Sequence, residues 1–193
     1  MPSTLSRMHV VILTALLVVS LGAFSRASNK IDLDALMMTR ADMPGLDVQQ
    51  VIDVEPGSRC YPDPIKGRTL AATRGNGRPF FGQSLLLYRS PDAASNVFVG
   101  LKERWAECTW VTWRMPVESL NGPTLGDESA SFFISVDCCS PVNEHTIENG
   151  HLHTLFVRRG RLIEILMVIT RDTSLYETVV TGVDAEVARR LGR

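Results

Sequence analysis

Apolar and polar residues alternate most clearly in residues 151–170. Two segments rich in strand-forming residues flank a turn at Arg158, Arg159 and Gly160. In the second segment, apolar residues stand at every other position: Ile163, Ile165, Met167 and Ile169. Because side chains of a strand point alternately to opposite faces, these four line one face. The pattern predicts a β-hairpin at the centre of an α+β domain.

Apolar residues at helical spacing predict three helices. The first covers residues 31–40, with Asp32 as its N-cap, and the last covers residues 174–191. The second begins after Ser90, which precedes a proline and an acidic residue, a combination typical of a helix start. We expect this helix to end near Cys108, with that side chain facing the core.

Further strands are predicted at residues 46–54, 80–88, 109–115 and 129–136. Residues 55–79 contain many prolines and glycines and are expected to form a long loop. Residues 137–150 are polar and rich in turn-forming residues. Since no repeat or linker divides the chain, we expect one domain over residues 29–193.

The N-terminal segment is distinct from this domain. Arg7 precedes an apolar run at residues 10–24, which is shorter than the roughly 20 residues of a spanning helix. This arrangement, followed by a small-x-small sequence at residues 25–27, is typical of a signal peptide. We expect residues 1–27 to be a cleaved signal peptide, with an uncleaved N-terminal anchor as the alternative. Both place the domain outside the cytoplasm, as a secreted or cell-envelope protein.

Composition narrows the range of partners. The chain has 193 residues, of which 45% are hydrophobic and 21% charged, which is ordinary for a globular domain. The formal net charge at pH 7 is −1, so binding to nucleic acid is not expected. A membrane contact is expected only through the N-terminal segment, if that segment stays uncleaved.

The exported part contains four cysteines: Cys60, Cys108, Cys138 and Cys139. An even number of cysteines in an oxidising compartment favours disulfides. Four cysteines allow three pairings, in which Cys138 and Cys139 either bond each other or take one partner each. We favour a Cys60–Cys108 bridge; closing a loop of about 50 residues would stabilise the fold by roughly 4 kcal/mol.

Several short sequences occur in an order that resembles a known family. They are LMMTRADMPGL at residues 36–46, Cys60 in the following loop, Trp-x-x-Cys at residues 105–108, Gly-Asp-Glu-Ser at residues 126–129, and Val-Arg-Arg-Gly at residues 157–160. With the C-terminal helix, their order over residues 31–191 resembles the PknH-like extracellular sensor domains, found on bacterial Ser/Thr kinases and on stand-alone exported proteins.

This resemblance implies an antiparallel sheet packed against helices, a cleft, and disulfides that make the domain rigid. It implies ligand sensing or binding without known catalysis. The sequence contains no kinase domain, so a signalling role would need a partner. Cys138 and Cys139 have no clear place in the family's pattern, which leaves the disulfide pairing open.

Histidines at the start of the hairpin suggest an alternative function. His151 and His153 would lie on one face of a strand, and His145 precedes them. Imidazoles together with free thiolates at Cys138 and Cys139 would suit zinc or copper. The alternative is therefore a metal-binding or redox-active exported protein. The opposing interpretation is ordinary surface histidines and disulfide-bonded cysteines.

Four residues are candidates for ligand contact. If residues 109–115 form a strand, Trp110 and Arg114 lie on the same face and can present an aromatic and a cationic group. Arg158 and Arg159 crowd the hairpin turn, where they would form a solvated tip able to contact an anionic group.

No catalytic residue is expected. Asp127 and Glu128 are neighbours in a turn, where Asp127 would bond its own backbone, whereas acid–base pairs need carboxyl groups that converge from different elements. Ser129 lacks the sequence of a nucleophile elbow. The sequence thus favours a non-enzymatic exported sensor-type domain without a cofactor, whose ligand is a small molecule, a peptide or an envelope component.

Overall fold

The structure of the protein is a computed structural model that describes residues 31–48, 51–54, 62–73, 80–113, 117–136, 150–170 and 172–192. The chain divides into two compact units, Met1–Asp32 and Leu33–Arg193, and the fold below is that of the second unit. The predicted signal peptide at residues 1–27 lies outside the described residues. Within the described ranges, no helix combines the length and the hydrophobicity needed to span a membrane.

Eight strands form one antiparallel sheet in the part of the chain that the structure describes. They are β1 Asp47–Val48, β2 Ile52–Asp53, β3 Lys66–Thr73, β4 Phe80–Leu87, β5 Glu118–Leu120, β6 Glu128–Val136, β7 Gly150–Arg159 and β8 Leu162–Thr170. Their order across the sheet is β1-β3-β4-β8-β7-β6-β5, and β2 also pairs with β3. The helices of this unit are α1 Leu33–Leu36, α2 Pro91–Trp113 and α3 Thr173–Arg190. The unit is therefore α+β, with an antiparallel sheet packed against helices, as expected.

The predicted hairpin is confirmed and occupies the middle of the sheet. β7 and β8 pair up to Arg159 and Leu162, so Gly160 and Arg161 form a two-residue turn. Gly160 has a φ of 57°, which glycine adopts without strain. Because β8 lies between β7 and β4, it is a central strand.

Both faces of β8 are buried, although its pattern predicts one inner face. Ile163 and Ile165 belong to the core beneath α2, while Glu164 and Leu166 are just as buried on the opposite face. The sheet is therefore the middle of three layers. α2 covers one face. α3 covers the other, together with residues 33–42, which comprise α1 and the residues after it and are called the α1 segment.

The first outer layer is α2, which begins at Pro91 as the sequence predicts. Ser90 caps it, since its Oγ accepts a hydrogen bond from the backbone N–H of Ala93 at 3.1 Å. The inner side of this helix presents Phe98, Leu101 and Trp105. Trp105 meets Phe156 of β7 edge to face, with ring centroids 5.4 Å apart, which is a favourable aromatic geometry.

The second outer layer is α3, which buries one stripe of side chains. These are Tyr176, Val180, Val183, Asp184 and Val187. Leu175, in the first turn of the helix, is exposed. Near the end of the helix, Arg190 donates to the carbonyl of Met37 at 2.7 Å and contacts Asp42 at 2.7 Å. These contacts join α3 to the segment that follows α1.

The strand predicted at residues 109–115 is wrong, because α2 continues through Trp113. This stretch is rich in tryptophan and β-branched residues, which favour strands. Once a helix has formed, however, each added residue gains a hydrogen bond at little further cost. Propagation thus outweighs local strand propensity.

The long loop predicted at residues 55–79 is wrong in its middle, where β3 lies. This strand pairs with β4 along its whole length and with β1 and β2 on its other side. Gly67 was expected to break structure, but it makes room in the strand. A Cβ there would lie 2.7 Å from the Cβ of Val54. The glycine therefore reflects close packing rather than a turn.

Three smaller predictions also change. The helix predicted at residues 31–40 is limited to the single turn Leu33–Leu36. The strand predicted at residues 46–54 is divided into β1 and β2. The short strand β5, Glu118–Leu120, lies where no strand was predicted. Predicted strands at residues 80–88 and 129–136 are confirmed as β4 and β6, and residues 137–149 lie outside the described part.

Candidate functional site

A group of polar side chains lies in the layer between the sheet and α3. β4 contributes Gln83, β7 contributes Arg159, β8 contributes Glu164 and α3 contributes Asp184. Their exposed fractions are 0%, 8%, 1% and 4%. We call these four residues the buried polar cluster. Buried polar groups cost free energy unless they are paired, so each contact matters.

The amide of Gln83 joins the α1 segment to the central strands. Its Nε2 donates to Oε1 of Glu164 at 2.8 Å. Its Oε1 accepts a hydrogen bond from the backbone N–H of Met38, also at 2.8 Å. The acceptor role toward Met38 and the donor role toward Glu164 together fix the orientation of the amide.

Arg159 lies between the two carboxylates of the cluster. Its Nη2 is 2.5 Å from Oδ1 of Asp184, and its Nη1 is 3.9 Å from Oε2 of Glu164. Neither of these two carboxylate oxygens has a hydrogen bond of good geometry. The contact to Asp184 is therefore close but misaligned, and the contact to Glu164 is long.

The charges of the cluster do not balance when all three groups are ionised. Two carboxylates then face one guanidinium, in a place where each buried ion costs several kcal/mol of desolvation. The pKa of Glu164 is raised to about 7, chiefly by burial and to a smaller extent by the nearby charge of Asp184. The hydrogen bond from Gln83 and the charge of Arg159 act in the opposite direction.

His153 is buried in the same layer. Its ring stacks on Tyr176 with centroids 4.6 Å apart, and neither ring nitrogen has a hydrogen-bond partner. Burial lowers the pKa of His153, and the neighbouring His151 lowers it further. The hydroxyl of Tyr176 donates to Oγ of Ser131 at 3.2 Å. The interpretation of both histidines as surface residues is thus wrong for His153.

His151 and His153 do lie on one face, as predicted. Their ring centroids are 5.9 Å apart, and His151 also meets Phe133 edge to face. Among the residues that the structure describes, no group of three His, Cys, Asp or Glu side chains could hold a metal. His145, Cys138 and Cys139 lie outside those residues. The metal or redox alternative gains no support from the part of the chain that is described.

The arginines at the hairpin turn are ion-paired and do not form a solvated tip. Arg158 Nη2 donates to Oε1 of Glu128 at 2.7 Å, and its Nη1 donates to Oδ2 of Asp127 at 3.3 Å. Asp127 accepts the backbone N–H of Gly160 at 2.6 Å, so it holds the neighbouring turn and not its own backbone. Arg159 points into the buried polar cluster. Both arginines are already engaged by carboxylates of the protein itself.

The remaining sequence candidates are only partly described. Trp110 lies on α2, so the strand-face argument that paired it with Arg114 no longer applies. The side chain of Trp110 and the whole of Arg114 lie outside the described part, as do Cys60, Cys138, Cys139 and the side chain of Cys108. The ligand contacts and the Cys60–Cys108 bridge therefore stay predictions.

Sequence reasoning missed three members of the buried polar cluster, although a signal was present. Glu164 interrupts an otherwise apolar strand, and Gln83 does the same in β4. Asp184 stands four residues after Val180, on the apolar stripe of α3. A polar residue at a core position of an amphipathic pattern is the feature that could have found them.

Comparison with known proteins agrees on the fold. No family model matches the sequence, and no curated protein matches it. The extracellular domain of PknH from Mycobacterium tuberculosis matches with a TM-score of 0.56 and 8% identity, covering 81% of this chain and 94% of that chain. An uncharacterized protein from Mycobacterium smegmatis, the Rv0999 ortholog, matches with a TM-score of 0.50 and 14% identity, covering 82% and 98%. The chain therefore has a PknH-like fold.

Proposed function

We propose that this protein is a non-enzymatic, extracytoplasmic sensor-type domain that binds a small molecule, a peptide or an envelope component. The observation that carries the proposal is the match to the extracellular domain of PknH, 94% of which is covered. The order of the short sequences in residues 36–160 points the same way. The expected signal peptide at residues 1–27 provides the route of export.

The placement of the carboxylates supports a binding role over catalysis. A general acid or base must reach the proton that it transfers, at hydrogen-bond distance from the substrate. Glu164 and Asp184 are closed off between the sheet and α3, with exposed fractions of 1% and 4%. Asp127 and Glu128 are occupied by Arg158. Each of these four carboxylates is therefore either buried or already engaged by an arginine.

One native mass spectrum tests export and binding together. The whole chain is produced in a bacterial host, and protein from the medium and the envelope fraction is mixed with chromatographic fractions of an envelope extract. We expect a peak with the mass of a chain that begins at Ser28, and a second, heavier peak from the same chain with a bound compound. Protein found only in the cytoplasm, or no adduct with any fraction, would count against the proposal.

Variants then locate the binding surface. Trp110→Ala and Arg114→Ala are expected to weaken the adduct by about tenfold or more, since each would remove a contact worth about 1.4 kcal/mol. Arg104→Ala changes an exposed arginine on α2; it is the control and should keep the adduct. Equal binding by all three variants would remove Trp110 and Arg114 from the site.

A further inference from the structure

The contact between α3 and the sheet contains an excess negative charge. Glu164, Asp184 and Arg159 come from three different elements and are each more than nine-tenths buried. A buried pair of opposite charges can be stable, but a third buried charge without a partner is not. One proton on either carboxylate would make the group neutral.

Two carboxylate oxygens are the candidate sites for this proton. Oε2 of Glu164 and Oδ1 of Asp184 are buried without a hydrogen-bond partner, and both approach the guanidinium of Arg159. A proton from solvent on Oε2 removes the excess charge beside the guanidinium. Oε1 meanwhile keeps its hydrogen bond from Gln83.

Among the described residues of the elements around Glu164, none adds a further charge that would compensate. β4 presents the neutral Gln83, and the α1 segment presents only the backbone N–H of Met38. On β3, Arg68 lies on the same face two strands away and is engaged by Asp34 and Asp53. β7 and α3 contribute the residues already named, together with His153 and Tyr176 further along the layer.

We propose that Glu164 and Asp184, bracketing Arg159, form a proton-binding site that couples pH to the docking of α3 on the sheet. With one proton bound, the group is neutral and α3 is held at Asp184. Without it, two carboxylates repel each other across one guanidinium, and the middle of α3 separates from β8. Arg190 keeps the end of the helix joined to the α1 segment. The inference deepens the proposed sensor function by naming the proton as a signal, although the site itself stands on the geometry above.

The sign of the effect follows from the position of Glu164. Its pKa in the folded protein is raised to about 7 from an ordinary 4.5, so its neutral form favours the docked state. The stabilisation is fully present below the ordinary value and is lost as the pH rises through about 7. His153 acts in the opposite direction, since its lowered pKa favours the docked state above pH 6.5. A comparison of variants is therefore needed to isolate Glu164.

Amide hydrogen exchange of α3 tests this coupling. Corrected for intrinsic exchange, amides near Val183 and Val187 of the whole protein are expected to lose protection by about tenfold or more between about pH 5.5 and 8.5. Glu164→Gln, which keeps the shape without the charge, should remove this loss. Glu177→Gln changes an exposed glutamate on the same helix and should leave it unchanged.

Two further measurements keep the proposal testable if Glu164→Gln fails to fold. Asp184→Asn removes the other carboxylate and should also flatten the pH profile. Carboxyl carbon NMR of the unaltered protein should show Glu164 titrating near neutral pH, together with shifts in α3. An ordinary titration near pH 4.5, or an identical profile in wild type and Glu164→Gln, overturns the inference. Neither outcome bears on the adduct experiment, so the two proposals fail separately.

Discussion

At the scale of single residues, two glycines have opposite roles. Gly126 precedes β6 with a φ of 61°, and a Cβ there would lie 2.5 Å from the carbonyl oxygen of Arg158 and 2.7 Å from Cγ1 of Val157. Gly182 lies on the exposed side of α3, where a Cβ would meet nothing within 4 Å. The first glycine is required by its contacts, whereas the second only weakens a helix.

We expect these two positions to respond oppositely to alanine. Gly126→Ala should destabilise the fold by about 2 kcal/mol or more, from backbone strain and from contact with β7. Gly182→Ala should stabilise it by up to about 1 kcal/mol, because alanine has the higher helix propensity. Urea unfolding of both variants against wild type checks the pair. A stable Gly126→Ala protein would contradict the crowding around that turn.

Glu164 shows what the sequence can and cannot reveal at this scale. Its interruption of an apolar strand is visible in the printed sequence, and it signals a buried charge. Its partners are not visible, because Gln83 is 81 positions away and Asp184 belongs to another element. A contact that depends on the strand order cannot be read from residue spacing.

At the scale of elements, α2 shows why the start of a helix can be easier to predict than its end. Ser90 and Asp172 both cap as their residue types suggest. The far end of α2 lies past a run of strand-favouring residues that the growing helix overrides. Local chemistry therefore marks where a helix begins, and cooperativity decides how far it extends.

The cap of α3 provides a test at this scale. Oδ1 of Asp172 accepts the backbone N–H groups of Ser174 at 2.9 Å and Leu175 at 3.2 Å. Asp172→Ala should lower Tm by about 3 °C at neutral pH. Thr173→Ala, at the exposed neighbouring position, should change Tm little.

The pH dependence of this difference distinguishes the cap from a general effect on the helix. The hydrogen bond from the Ser174 side chain lowers the pKa of Asp172 below its ordinary 3.8, so its contribution is present above that value. It is lost as the pH falls through the lowered value. The Tm gap between wild type and Asp172→Ala should therefore narrow below about pH 4. A gap that stays constant would show that ionised Asp172 is not what caps the helix.

At the scale of the whole molecule, the fold class was predictable but the layering was not. The hairpin and the order of short sequences led to an α+β unit with an antiparallel sheet. A strand buried on both faces, such as β8, reads as a nearly continuous apolar run, so its pattern does not tell which helix covers which face. β3 was missed because Gly67 in the sequence suggests a loop, whereas this glycine makes room for Val54 within the strand.

The cysteines provide the test at this scale. Intact-mass analysis of the exported protein with alkylation should find no free thiol, and peptide mapping should find Cys60 bonded to Cys108. Reduction should then lower the free energy of unfolding by roughly 4 kcal/mol. Two free thiols at Cys138 and Cys139 would instead revive the redox alternative.

The two neighbours of β8 differ greatly in their distance along the chain, and this has a consequence for folding. β7 reaches β8 across a two-residue turn, whereas β4 meets it across a ladder whose partners are some eighty positions apart, as for Leu85 and Glu164. Hairpins form within microseconds, while closing a long loop costs entropy first. We expect the hairpin to form early and the docking of β4 to limit the folding rate. The chain between β4 and β7, including α2, then acts as one loop that closes when β4 pairs with β8. The length of this loop affects the folding rate more than the stability of the folded protein.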